Sequence, residues 1–157
     1  MEENTEIRIA SMPKRVLAFL IDELAVAIFL LIIFYDPIMG IVNSVPSAMT
    51  EEAKELFRFQ VEAFSRDNLF LIIAFKLSYH SFLIWQNQGM TLGKYLMKIR
   101  VVQLGTEMSP SFLSSLGRAS LRVVNEMLFY IGFILALVLP YRQTLHDKFT
   151  NCVVVDV

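Results

Sequence analysis

The stretch VLAFLIDELAVAIFLLIIF, residues Val16 to Phe34, decides the fold, because it is nearly long enough to cross a lipid bilayer. At about 1.5 Å of rise per residue, a helix of this length spans most of a hydrocarbon core of roughly 30 Å. Its large apolar residues each favour insertion by about 0.3 to 0.6 kcal/mol, whereas Asp22 and Glu23 each oppose it by roughly 2.5 to 3.5 kcal/mol. Insertion is therefore nearly balanced, and we expect a transmembrane helix whose two carboxylates face a partner group or a watery cavity.

A secretory signal peptide is the rival interpretation of this run. Lys14 and Arg15 precede the apolar residues, as basic residues do in a signal peptide. The run is longer than the usual hydrophobic region of a signal peptide, however, and it carries two acids. We therefore expect the segment to be retained as a membrane span.

The composition favours a membrane protein with a single domain over residues 1–157. Hydrophobic residues make up 55% of the 157 residues, and the mean hydropathy is +0.55, which is high for a soluble protein of this size. The formal net charge is −1 and the basic residues alternate with acids, so we expect no nucleic-acid binding. Cys152 is the single cysteine and no Cys/His cluster has metal-ligand spacing, so we expect no disulfide, metal or cofactor.

Two further apolar runs follow the first. Leu69 to Trp85 lies at the short limit for a full span and carries Lys76 and His80 one helical turn apart. Met127 to Pro140 is shorter, which predicts a third short apolar helix that is re-entrant or interfacial, unless the preceding amphipathic stretch extends it into a spanning one. The sequence thus predicts a mainly α-helical integral membrane protein with two full transmembrane helices.

The connection between the first two spans, residues 36–66, predicts an extracytoplasmic insertion made of a loop and a helix. Pro37 and Pro46 mark turns, and Thr50 followed by Glu51 is typical of a helix N-terminus. We expect this helix to continue directly into the second span. It either binds a partner or packs on its own membrane surface, and base rates for amphipathic faces favour the second alternative.

Two short segments rich in valine and isoleucine, Lys98 to Leu104 and Asn151 to Val157, predict β-strands. Because open strand edges cannot lie in lipid, two strands that pair must meet on the same side of the bilayer. The basic residues around Lys14 and after the second span favour a cytoplasmic N-terminus. We therefore expect a small two-stranded cytoplasmic element.

The segment between these strands, residues 111–139, begins with a polar amphipathic helix. Its apolar stripe is formed by Phe112, Leu116, Ala119, Val123 and Met127. The opposite face carries Arg118, Arg122 and Asn125, which predicts a helix at the membrane interface. A helical hairpin would then return the chain to its starting side, whereas a single tilted crossing would separate the two strands. The pairing argument favours the hairpin.

A Gly-Lys pair in QGMTLGKYLMKIRVVQLG, residues Gln88 to Gly105, invites comparison with a phosphate-binding loop. That loop needs four residues between its glycines and a hydroxyl residue after the lysine. Gly89 and Gly93 are separated by only three residues, and Tyr95 follows Lys94. Spacing and chemistry therefore both argue against a nucleotide site.

Three segments, MPKRVLAFLIDELAVAIFL, QGMTLGKYLMKIRVV and RQTLHDKFTNCVVV, together resemble the RDD family of small bacterial integral membrane proteins. They occur in the family's order and cover nearly the whole chain apart from the connection between the spans. The resemblance implies a multi-pass protein of the bacterial cytoplasmic membrane. By this resemblance the signature residues are Arg15, Asp22, Gly89, Thr91, Gly93, Lys94 and Asp147.

The middle signature segment predicts an elbow at the membrane edge, residues Gly89–Lys94. Gly89 and Gly93 permit close backbone approach or unusual dihedral angles, and Thr91 can cap a short helix. Lys94 either binds a ligand or extends to the interface. The second role is favoured, because lysines near helix ends commonly extend in this way.

Charged residues inside the apolar runs form a candidate intramembrane site of Asp22, Glu23, Lys76 and His80. Asp22 and Lys76 lie at similar depth in antiparallel spans, so the spacing predicts a buried acid–lysine pair between them. Arg15 shares a helix face with Asp22 but lies two turns away, too far for a direct ion pair.

These residues support two functions of different classes. In the favoured one, the chain is a non-catalytic membrane subunit or interaction protein, whose partners are the bilayer and either a second copy or another membrane protein. The alternative is cation transport by an oligomer, such as the sodium/proton antiport that the family resemblance implies for some members. No nucleophile lies beside a base in the sequence, so we expect neither an enzyme nor catalytic residues.

Overall fold

The computed structural model of the chain describes residues 8–46, 48, 50–106, 108–127 and 141–157. Its elements in chain order are α1 (Met12–Ile33), α2 (Tyr35–Ser44), α3 (Glu51–Gln86), α4 (Leu92–Leu96), β1 (Ile99–Gln103), α5 (Phe112–Met127), α6 (Leu145–Phe149) and β2 (Cys152–Asp156). The mainly helical architecture with a small two-stranded sheet agrees with the prediction. Most of the predicted third apolar helix, 128–140, lies outside the described residues, so its course stays a prediction.

Helix α1 contains the first predicted span and has Pro13 in its first turn, where proline sacrifices no helical hydrogen bond. Among the described residues, α1 and α3 are the helices long and apolar enough to cross a membrane. Leu24 and Ile32 of α1 are 62% and 65% exposed, whereas Asp22 is completely buried. This reversal of the pattern of soluble proteins is what a lipid environment favours, because lipid accepts leucine and excludes charge.

Helix α3 joins the predicted connection helix to the second span without interruption, as expected. It has 36 residues, and Thr50 caps its N-terminus, since the hydroxyl oxygen of Thr50 accepts a hydrogen bond from the amide of Ala53 at 3.2 Å. At about 1.5 Å per residue it is about 54 Å long, so it extends well beyond a hydrocarbon core.

The turn predicted at Asp36-Pro37 is wrong, because both residues belong to the first turn of α2. The amide groups of a first helical turn have no partner within the helix, so the missing N–H of Pro37 costs nothing there. The helix ends before Pro46, where the second predicted turn lies.

The two predicted strands pair in antiparallel fashion, with Ile99 opposite Asp156 and Gln103 opposite Cys152. The N-terminal segment extends this sheet, since the amide of Ala10 donates to the carbonyl of Val154 at 3.0 Å and Ile9 forms a bridge with Val155. The sequence offered no sign of this third partner. One face of the sheet packs into a buried core with Ala10, Ala18, Ile84, Ile99, Val101, Cys152 and Val154.

Helix α5 has the two faces that the sequence predicted, but its polar face points into the protein. Arg118, Arg122 and Asn125 are buried, whereas Phe112 and Met127 are exposed, Met127 by 69%. Ala119, which the sequence placed in the apolar stripe, is buried on the polar side. The physical reason is that an apolar outer surface suits a lipid environment, while the arginines find carboxylates inside.

Candidate functional site

The buried charged residues collect where the inner faces of α1, α3 and α5 meet α4 and α6. They form three groups, named here after the carboxylate at the centre of each. The Asp22 cluster joins α1 to α3 and α4, the Asp147 cluster joins α1 to α5 and α6, and the Glu23 cluster joins α1 to α3 and α5.

The Asp22 cluster surrounds one carboxylate with three hydrogen-bond donors and one ammonium group. Oδ1 of Asp22 accepts from the amide of Gly93 at 2.8 Å and from the hydroxyl of Tyr79 at 3.2 Å. Oδ2 accepts from the hydroxyl of Thr91 at 2.6 Å, and the ammonium of Lys94 lies 3.7 Å from it. Three of the roughly four lone-pair sites of this carboxylate thus accept hydrogen bonds, and the nearby ammonium compensates its charge.

The geometry of α4 explains why Asp22 binds at this point. Thr91 has the extended backbone of an N-cap residue, but its hydroxyl donates to Asp22 and makes no cap hydrogen bond, so the predicted capping role is wrong. The amide of Gly93 lies in the first helical turn and has no partner within α4. Asp22 satisfies it from another helix, and so fixes the elbow to α1.

The two glycines of the elbow meet different requirements. Gly89 has a φ of 85°, and a Cβ at this position would also clash with the carbonyl of Val101. Gly93 has no unusual φ, but a Cβ there would clash with the carbonyl of Ala18 in α1. A side chain at either position would therefore push the elbow away from its neighbour.

Lys94 does not extend to the interface, contrary to the favoured prediction. It is buried, and its ammonium donates to Thr91 at 3.2 Å beside Asp22. Burial lowers the pKa of Lys94 to about 8, against the opposing attraction of Asp22. Lys94 is thus a buried ion-pair partner of Asp22. The usual preference of lysine for helix ends does not predict this role.

The Asp147 cluster pairs one aspartate with two arginines. Arg118 Nη2 lies 2.7 Å from Oδ1 of Asp147, and Arg15 Nη1 lies 3.6 Å from Oδ2. The amide of Thr144 also donates to Oδ2 at 3.2 Å in a capping box that starts α6. Arg15 further donates to the carbonyls of Arg142 and Val154, so it ties α1 to strand β2.

Electrostatics in this cluster keeps Asp147 charged. Burial by itself would raise the pKa of Asp147, but the Arg118 and Arg15 guanidinium groups outweigh it and lower that pKa to about 2. Burial lowers the pKa of the neighbouring His146 to about 3, so this histidine is neutral at pH 7. Arg118 is the nearest ion-pair partner of Asp147. The sequence does not predict this pair, because the helical pattern places Arg118 on a polar face that is expected to point outward.

The Glu23 cluster is a closed ring of two acids and two bases. Glu23 lies 2.8 Å from Arg122 and 3.2 Å from Lys76, and Glu126 lies 2.5 Å from Lys76 and 3.5 Å from Arg122. Each cation thus bridges both carboxylates. Its charges balance within the ring, and it fastens α1, α3 and α5 together.

The predicted pair between Asp22 and Lys76 is wrong, because Lys76 pairs with Glu23 and Glu126. Consecutive residues of an α-helix point about 100° apart, so Asp22 and Glu23 face different neighbours although their depth is nearly the same. His80 joins neither acid. Its ring packs edge-on against Tyr79 at 5.0 Å between centroids, and its two nitrogens have no hydrogen-bond partner among the described residues.

A mainly helical chain with lipid-compatible outer surfaces and paired charges inside has the features of a helical membrane protein. The chain belongs to the RDD family, whose family model matches residues 9–151, and RDD proteins are membrane proteins. No curated protein and no solved structure matches it. The matched region contains every signature residue, so the family resemblance of the sequence is confirmed.

Proposed function

We propose that the chain is a multi-pass protein of the bacterial cytoplasmic membrane that acts as a non-catalytic membrane subunit or interaction protein. The enclosure of Asp22 supports this proposal most strongly, because the three hydrogen-bond donors and the ion-pair partner of the signature carboxylate all come from the chain itself. A carboxylate that carries protons or cations must exchange these partners in every cycle. Releasing Asp22 would instead free the elbow from α1.

In this proposal the signature residues have a structural role, because they hold the elements at the membrane edge together. Arg15 and Asp147 fix the C-terminal strand to α1, and Asp22 fixes the elbow to the same helix two turns away. These contacts hold the small sheet in a fixed position relative to the apolar surfaces of the helices. A second copy or another membrane protein is then the proposed partner of those surfaces.

Cation/proton antiport by an oligomer is the second candidate. The Glu23 cluster favours it, because Glu23 lies within α1 and its side chain keeps 25% of its surface exposed. A bound cation would compete there with Lys76 and Arg122 for Glu23. The balanced ring of charges counts against this function, since it leaves no unpaired carboxylate to attract a cation.

Reconstitution in vesicles separates the two candidates. We expect purified protein in vesicles with an imposed pH gradient to give no proton efflux on addition of Na⁺ or K⁺ beyond that of protein-free vesicles, measured with a pH-sensitive dye. After gentle extraction from its own membrane, we expect native mass measurement to show a complex with a second copy or with another membrane protein. A cation-dependent proton flux that disappears in Glu23→Gln, in a homo-oligomer, would overturn the proposal in favour of antiport.

The proposed topology has the N-terminus, the elbow and the sheet in the cytoplasm and the connection at 36–66 outside. It rests on the basic residues near the first span and on the pairing of β1 with β2. In a Cys152→Ser background, a membrane-impermeant thiol reagent should label Ala48→Cys in intact cells and should label Met108→Cys only after the membrane is opened. Labelling of Met108→Cys alone in intact cells would contradict this orientation.

A further inference from the structure

A partly open cavity of about 50 Å³ lies where α1, α3 and α5 meet α4, α6 and the sheet. Among the described residues of its lining, the cations are Arg15, Lys94, Arg118 and Arg122, and the carboxylate is Asp147. A water molecule needs roughly 10 to 15 Å³ of such volume. The cavity therefore has room for about three to five waters, or for one small ion with part of its hydration shell.

The charges around this cavity do not cancel. Within the three clusters of described residues, the cations are Arg15, Lys76, Lys94, Arg118 and Arg122, and the carboxylates are Asp22, Glu23, Glu126 and Asp147. One positive charge is left over, because Lys94 with a pKa of about 8 is still mostly protonated at pH 7. An uncompensated buried charge is costly, and an anion in the cavity would balance it.

The cavity lining also holds donors without hydrogen-bond partners in the described part of the chain. They are Nε of Arg15, Nε and Nη1 of Arg118, and the ring nitrogens of His80, of which the protonated one donates. Arg118 is 3% and His80 is 2% exposed, so both side chains are buried. Buried donors of this kind normally have an acceptor.

We propose that this cavity binds a small monovalent inorganic anion, held by Arg118, Arg15 and His80. The size of the cavity and the carboxylate of Asp147 in its wall both disfavour larger or doubly charged anions. A chloride ion fits this description and serves as the probe. The proposal is independent of whether the chain is a subunit or a transporter.

Thermal unfolding in detergent tests this proposal. We expect the Tm to rise with sodium chloride and to saturate, because a ligand that binds the folded state stabilises it by mass action. Sodium gluconate at equal ionic strength controls for screening, since gluconate is too large for the cavity. An equal rise in both salts, or no rise in chloride, would overturn the proposal.

Two variants locate the effect. Arg118→Lys keeps a cation for Asp147 but removes the unpartnered guanidinium donors, and His80→Leu removes ring nitrogens that bond to no described residue. We expect each to weaken apparent chloride affinity by roughly tenfold, equivalent to about 1.4 kcal/mol. Arg58→Lys, at an exposed arginine of α3, is the matched control and should change nothing.

Crystals with bromide would show directly where the anion binds, because the anomalous scattering of bromide distinguishes it from water. We expect a bromide peak between Arg118 and His80 in crystals grown with sodium bromide. Ordered water without an anomalous peak would show that the cavity holds solvent only, and the proposal would then be wrong. The proposal would also be wrong if chloride raised the Tm of both variants as much as it raises the Tm of the parent protein.

Discussion

Replacing Asp22 with asparagine should lower the free energy of unfolding by about 3 to 5 kcal/mol, because removal of one partner strands the other buried charge. The stranded partner is Lys94, whose ammonium lies beside Asp22 and Thr91 in a buried site. The amide group of asparagine would also turn a donor toward the amide of Gly93 or the hydroxyl of Thr91. Reversible unfolding in mild detergent, followed by tryptophan fluorescence, measures the change.

A second substitution shows which cation Asp22 serves. Lys94→Met removes the stranded charge and should restore most of the lost stability of Asp22→Asn, since the two effects share one pair. Lys76→Met is the matched control, because Lys76 pairs with Glu23 and Glu126 and should add its own loss. Rescue by Lys76→Met and not by Lys94→Met would refute the assignment of partners.

The second large effect is expected at Asp147. Asp147→Ala should cost about 3 to 5 kcal/mol, because it leaves the buried guanidinium groups of Arg118 and Arg15 without a carboxylate. It also removes the capping box that starts α6. Unfolding in mild detergent should show that Asp147→Ala with Arg118→Ala is little less stable than Asp147→Ala alone, because the two residues form one interaction.

An exposed ion pair supplies the control for this cycle. Lys14 lies 2.7 Å from Asp156, but their side chains are 40% and 29% exposed. Solvent-exposed pairs contribute about 0.2 to 1 kcal/mol, so Lys14→Ala should have only a small effect. If the losses of unfolding free energy caused by the Asp147 and Arg118 substitutions simply added, as they do for distant residues, the two side chains would not interact directly.

The same aspartate predicts a dependence of stability on pH. The pKa of Asp147 is lowered in the folded protein to about 2, so its stabilising effect is fully present above the pKa of the unfolded chain, about 3.9. It is lost as the pH falls from there through about 2. A loss of stability in this range that is smaller in Asp147→Asn than in the parent would support the assignment.

Several features of the fold follow from local sequence patterns. The apolar run after Arg15, the helix start at Thr50 and the two valine-rich strands each appear in the structure where the sequence placed them. Apolar length, side-chain capping and β-branched composition act over short stretches of chain, so they can be interpreted without a partner. Because open edges cannot lie in lipid, the two strands, if they pair, must meet on one side of the bilayer, and the structure shows that they pair.

The apolar runs and the three signature segments are thus enough to predict a helical membrane protein, its family and most residues of the buried clusters. Which charges meet depends on how the helices pack. The depth of a residue along a helix can be counted from the sequence, but the rotation of the helix about its axis cannot. The sequence therefore predicts a pair between Asp22 and Lys76, whereas in the structure Asp22 binds the elbow and Lys94. The periodicity of α5 likewise defined two faces but not which one points inward. Packing against α1, α3 and α6 settles that choice, because a buried arginine is stable only beside a carboxylate, and Asp147 and Glu23 lie inside.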